Sequence, residues 1–168
     1  MEVNQFTALY FSWEKMSALF FIAIGLIGVA TALFFWQKTA SEILRLAPYP
    51  LVIFGSLSLI VGCTIFFRTE AQVSGLLSLV QLDPTSYFSQ ELERITSVNQ
   101  NWMLYKWGEL LVIVVSLIII MIFPDKSALL GMALAAIMIA VPLLTLDIIG
   151  ERNGLWYMAQ VKAYEASL

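Results

Sequence analysis

The chain has 168 residues, no His, one Cys, and a formal net charge of −3 from nine Lys and Arg against twelve Asp and Glu. Hydrophobic residues make up 60% of it and charged residues 12%, about half the ~25% of a soluble domain, and the mean hydropathy is +0.85; a disordered or ordinary water-soluble chain is excluded. Without His, and with a single Cys, the usual zinc sites, an intrachain disulfide and imidazole catalysis are excluded too, and the acidic balance gives no basic footprint for nucleic acid.

A transmembrane helix needs about 20 apolar residues to cross a hydrocarbon layer of roughly 30 Å. The first such run, 16–37, carries no charge. Two acids precede it, it is too long for a signal-peptide core, and no small-x-small cleavage site follows, so it reads as a retained anchor. The second apolar run, Leu46 to Phe67, is also uncharged, and Pro48 and Pro50 mark its helix start, giving a span of about 48–67.

From Arg68 to Leu82 only Gly75 weakens a helix, and Asp83-Pro84-Thr85 then reads as a turn. Pro84 suits a first helical position, and Asp83 or Thr85 can cap the orphan N–H groups. From Ser86 the chain reads as helix into a third span, about 107–123, which contains Glu109. Pro124 and Asp125 separate it from the fourth span, about 127–147, which Pro142 should kink. Glu151 to Ala166 lacks Pro and can extend that helix past Gly150 and Gly154.

The expected fold is therefore all-α: an integral membrane four-helix bundle forming one domain over residues 1–168. Its helices should extend beyond the bilayer as a helical hairpin over about 68–106, protruding by roughly 20 Å for ~14 residues. The alternative lays residues 70–100 on the membrane surface as an amphipathic helix. With four spans, both termini and the middle segment share a side. That side holds Lys15, Arg68, Arg94, Lys106, Arg152 and Lys162 against Lys38, Arg45 and Lys126 on the other, so it should be cytosolic. Trp13, Trp36, Tyr49, Trp102 and Trp107 lie near span ends, where amphipathic rings favour the interface.

The few charges near the membrane gather at similar levels. A turn at Pro84 sets Arg68 level with Gln100 and Asn101, a turn at Asp125 sets Asp147 level with Met103, and a turn near residue 43 sets Glu14 near Gln72. A polar belt of Glu14, Arg68, Gln72, Arg94, Asn101, Tyr105, Lys106, Glu109, Asp147, Glu151 and Arg152 results. Arg94, Asn101 and Tyr105 fall within ~40° on the third helix, with Glu109 about 40° further round. Thr64, Arg68 and Gln72 form one stripe, and Asp147 and Glu151 share a face.

Glu109 stands fourteen residues before Phe123, about 21 Å along a helix, so it lies inside the hydrocarbon and should be neutral or paired, with Lys106 and Arg68 as partners. The competing reading makes the belt a structural ion network holding four helices in register. Gly25 and Gly28 on the first helix, with Gly55 and Gly62 on the second, allow close approach. Cys63 reads as a small packed residue. Acids on every helix resemble a di-iron bundle, but those need Glu-x-x-His. A hard cation on Glu109, Asp147 and Glu151 is the remaining metal reading, and no cofactor is expected.

Three stretches together resemble a family of small four-span bacterial membrane proteins with no assigned activity: Arg68-Thr69-x-x-Gln72, Glu93-Arg94 leading to Asn101-Trp102-x-x-Tyr105-Lys106-x-x-Glu109, and Asp147-x-x-x-Glu151-Arg152 with Tyr157. The resemblance covers most of the chain and implies a bacterial inner membrane.

The functional expectation is a non-enzymatic membrane protein that binds a protein partner or ligand through its charged belt and cytosolic protrusion, surrounded by lipid. A proton or cation conduit using Glu109 and Asp147 is the alternative. It calls for a homo-oligomer, because four helices leave little room for a pore in one chain. A lipid-modifying enzyme with Glu109, Asp147 or Glu151 as acid or base is a third reading.

Overall fold

A computed structural model describes residues 3–38 and 40–166. Four long helices follow one another: α1 (Val3–Lys38), α2 (Pro48–Leu82), α3 (Pro84–Ile122) and α4 (Ser127–Glu165), with a short 3-10 turn, Glu42–Leu44, between α1 and α2. All four are long and apolar enough to cross a membrane, and the protein is an all-α, multi-pass four-helix bundle. At 35 to 39 residues, each runs about 52–59 Å, against roughly 30 Å of hydrocarbon. Some 20–30 Å of every helix therefore stands outside the apolar layer.

The breaks follow local chemistry. Pro48 opens α2, where a missing N–H costs nothing. One residue, Asp83, separates α2 from α3. Its backbone leaves the helical region (φ −149°, ψ 88°), and its side chain accepts from the Ser86 N–H at 3.1 Å and the Ser86 hydroxyl at 2.5 Å. Asp83, rather than Thr85, is thus the cap. α3 ends at Ile122, just before Phe123 and Pro124, and α4 runs through Pro142 without a break.

The surface-helix alternative for residues 70–100 is overturned. Both limbs of that hairpin belong to the bundle, because Val73, Leu76, Leu79 and Val80 of α2 pack against the core that α3 helps to form. The apolar run from 16 to 37 is also only part of its helix: α1 starts at Val3.

Two cores are stacked along the bundle. At the end carrying the α2–α3 turn, Phe6, Tyr10 and Phe11 of α1 meet Tyr87, Phe88 and Ile95 of α3 and Tyr157 and Val161 of α4. Tyr10 stacks on Tyr157 with ring centroids 4.3 Å apart. The hydroxyls of Thr7, Tyr87 and Tyr157 lie 3.4–3.5 Å from one another and satisfy each other in the interior.

The apolar half is held differently. A Cβ at Gly25 would lie 2.6 Å from the Gly55 carbonyl oxygen, and one at Gly62 would lie 2.8 Å from that of Ala18. Ser58 Oγ donates to the Phe21 carbonyl at 2.7 Å across the same seam. Close backbone contact supplies dispersion where lipid removes the hydrophobic drive.

α1 lies along α2, and α3 along α4, while α2 and α3 touch only sparingly. Between residues 107 and 122 of α3, Ser116 is the one buried residue. A lateral cleft opens between α2 and α3.

Gly25→Leu should force α1 and α2 apart and cost about 1–3 kcal/mol, as overpacking does. Gly75→Ala, with nothing within 4 Å of the added methyl, should be neutral or stabilise by up to ~1 kcal/mol. Thermal unfolding in detergent, followed by far-UV circular dichroism, distinguishes them.

The Ser86 hydroxyl, then its backbone N–H, holds the exposed Asp83 carboxyl below its ordinary value of 3.8. A value lowered by folding means that the cap's contribution is full above 3.8 and is lost as pH falls through the lower folded value. Amide exchange at Ser86 should accelerate below that point, and Asp83→Asn should remove this pH dependence.

Candidate functional site

The charged side chains of the belt meet as pairs between neighbouring helices, at several levels. Arg68 of α2 donates to Glu14 of α1 at 3.3 Å, with the Glu14 side chain 5% exposed and that of Arg68 41% exposed. Lys106 of α3 donates to Glu151 of α4. Glu109 of α3 and Asp147 of α4 bring their carboxyl groups within hydrogen-bonding reach of each other. Lys15 and Glu70 form a further pair at 2.5 Å on the surface.

Several expectations need correction. Glu109 pairs with neither Lys106 nor Arg68, because both bases are taken by other acids. Asp147 does not sit level with Met103. It reaches Glu109, six positions further along α3, while Gly150 sits against Trp102 and Gly154 against Asn99. The α3–α4 connection spans four residues, Phe123 to Lys126, rather than turning at Asp125 alone. Arg94 leaves the belt. It donates twice to Glu91, at 2.8 and 2.6 Å, with its guanidinium over the rings of Tyr10 and Phe11 at 5.8 and 5.1 Å.

Gln72 is half-buried with its Oε1 sealed and unpartnered, and Arg152 is exposed. The cation cradle of Glu109, Asp147 and Glu151 is not assembled. Glu151 is committed to Lys106, and no group of three or more His, Cys, Asp or Glu able to hold a metal occurs among the described residues.

Asn101 and Tyr105, both exposed, stand at the rim of the α2–α3 cleft. Its outer part, of about 200 Å³, is lined by Glu14, Thr64, Arg68, Asn101 and Tyr105. Its deeper part, of about 460 Å³, is walled by Phe54, Leu57 and Val61 of α2, floored by Phe21 and Leu143, and closed on the α3 side by Leu104, Tyr105 and Gly108. Val61, Trp102 and Tyr105 line both parts.

Glu109 and Asp147 stand in the deeper part. Asp147 is 2% exposed, and Glu109 Oε2 and Asp147 Oδ2 are both buried without a hydrogen-bond partner. A separate cavity of about 450 Å³ near the opposite end, between Ile24, Phe35, Leu51 and Ile139, is almost purely apolar.

Sequence reasoning missed Glu91, whose side chain is fully buried. Its signal was present in the Glu91-x-x-Arg94 spacing, which places acid and base on one helical face. It also missed Asn99, whose side-chain N and O are both sealed and unpartnered against Gly154.

Glu91→Ala leaves Arg94, whose side chain is 21% exposed, without its partner, and should cost about 3–5 kcal/mol, the range for breaking a buried ion pair. Glu70→Ala, at the exposed pair, should leave the unfolding midpoint unchanged. Differential scanning calorimetry of the detergent-solubilised protein measures both.

Neither protein-family models, nor curated proteins, nor solved structures give a match to this chain.

Proposed function

We propose that the protein is an integral membrane binding protein that admits an amphipathic small molecule sideways into the α2–α3 cleft. The observation that carries this reading is the cleft's graded polarity. Arg68, Asn101 and Tyr105 stand at its outer rim, and Phe54, Leu57 and Leu104 wall its deeper part. A head group fits the first region and an alkyl or aryl body the second.

The deeper volume of about 460 Å³ falls within the roughly 300–1,000 Å³ of small-molecule sites. The surplus of Lys and Arg at the rim end supports placing that end, with both termini, in the cytosol. On this reading the belt serves recognition at the rim, while the protruding aromatic core fixes the helices that frame it. The resemblance noted in the sequence supports a bacterial inner membrane as its setting.

The conduit reading through Glu109 and Asp147 draws support from the acid pair itself. It requires a second copy to close the cleft into a path, since the cleft opens laterally.

A neutral alkyl amphiphile carrying a diazirine, photolysed with the protein in liposomes, tests the binding reading. Saturable labelling should concentrate on the Leu57 and Leu104 peptides. Leu57→Trp, which fills the cleft, should weaken half-saturation at least ~10-fold, equivalent to about 1.4 kcal/mol. Ile53→Trp, on an exposed face outside the cleft, should leave it unchanged. Unsaturable labelling spread over lipid-facing positions such as Leu26, Leu33 and Ile118 would overturn the proposal.

A further inference from the structure

We propose that the Glu109–Asp147 pair is a cation-exchange site, at which a hydrophobic organic ammonium ion enters the cleft and displaces one proton. The inference rests on the cleft being a ligand site and names the chemical class that it takes.

The local charge inventory points this way. At the rim Glu14 is matched by Arg68, and one turn from the acid pair Glu151 is matched by Lys106. Glu109 and Asp147 have no base hydrogen-bonded to them. Lys106 acts on Asp147 through space, but its hydrogen bond goes to Glu151.

The other elements around the pair bring no counter-charge. α1 contributes Phe21, and α2 contributes Phe54, Leu57, Ser58 and Val61. The Ser58 hydroxyl is already spent on the Phe21 carbonyl. α3 adds the neutral Tyr105 and Gly108, and α4 adds Leu143. Two carboxyl groups can hydrogen-bond each other only when one supplies a proton.

At this depth an uncompensated charge is costly, so the empty site holds both protons and is neutral. Two sealed oxygens, Glu109 Oε2 and Asp147 Oδ2, still lack partners. An anionic ligand would add charge of the wrong sign beside two acids, whereas a monovalent cation with an apolar body can replace one of their protons and seat its body among the apolar walls. The aromatic rings of Phe21, Phe54, Trp102 and Tyr105 around the cleft add favourable faces for it.

The step balances without a co-reactant. One carboxyl O–H bond breaks heterolytically, its proton leaves to water, and the carboxylate left behind pairs with the ammonium ion. The second proton continues to bridge Glu109 and Asp147. The occupied site is neutral, as the empty site is, the incoming positive charge is balanced by the departing proton, and no electrons are transferred.

The probe is dodecyltrimethylammonium, whose charge is fixed, so any released proton comes from the protein. The full chain in nanodiscs is titrated calorimetrically in two buffers of different ionisation enthalpy, against empty nanodiscs. About one proton should be released per cation bound, and affinity should rise about tenfold per pH unit, as linkage requires for one proton.

Glu109→Gln and Asp147→Asn should each weaken cation binding, and the double variant should abolish proton release. Retained labelling by the neutral diazirine amphiphile shows that the variants keep the cleft. Cation binding without proton release, or unchanged binding in both variants, would overturn the exchange. If the neutral amphiphile labels the cleft but the cation does not bind, the exchange fails and the cleft reading stands. If neither binds, the cleft reading fails as well.

Discussion

Within hydrocarbon, helices gain little by hiding apolar surface from one another, and they hold together where small residues let backbones touch. That constraint shapes this protein. α1 and α2 meet through Gly25, Gly55 and Gly62 so closely that an added Cβ would fall within about 3 Å of backbone or side-chain atoms of the facing helix. α4 supplies Gly131, Ala133, Ala136 and Ala140 to the interior. The membrane half of α3 has mostly branched and bulky residues, and its Gly108 faces open space. It therefore stands away from α2, and the gap between them is the cleft. An interface of small residues on one side of the bundle and their scarcity on the other produce a closed seam and an open one.

The outer end follows the rules of water. There an aromatic core, closed by a triad of hydroxyl groups and by the Glu91–Arg94 pair, ties α1, α3 and α4 together. Burial of large rings against solvent supplies a driving force that lipid cannot. This end can anchor α3 firmly, so that its apolar half need not pack. Stability and opening are thereby assigned to different solvents along the same four helices.

Much of this was legible in the sequence. Four apolar runs, the prolines at helix starts and the Asp83-Pro84 turn are local signals, and each marks an element that the structure contains. The seam glycines were legible for the same reason. The start of α1 was missed because residues 3–15 lie outside the apolar run, and the rings that bury Phe6, Tyr10 and Phe11, among them Tyr87 and Tyr157, are far away in the sequence. The pairing of Glu109 with Asp147 depends on the register between α3 and α4, a tertiary quantity that the turn residues constrain only to within one or two helical turns. Arg94 was assigned to the belt by angular phase alone, while Glu91, three residues away, decided its partner.

The single residue between α2 and α3 has a mechanical corollary. Two stiff limbs joined at Asp83 diverge like the legs of a compass, with Leu57 and Val61 on one leg and Leu104 and Gly108 on the other. Val61 lies about 33 Å along the helix from that apex, so about 5° in the angle between the legs corresponds to roughly 3 Å of width. The width of the opening is thus fixed by an angle set at the far tip of the hairpin, where the cap of Asp83 on Ser86 holds the bend.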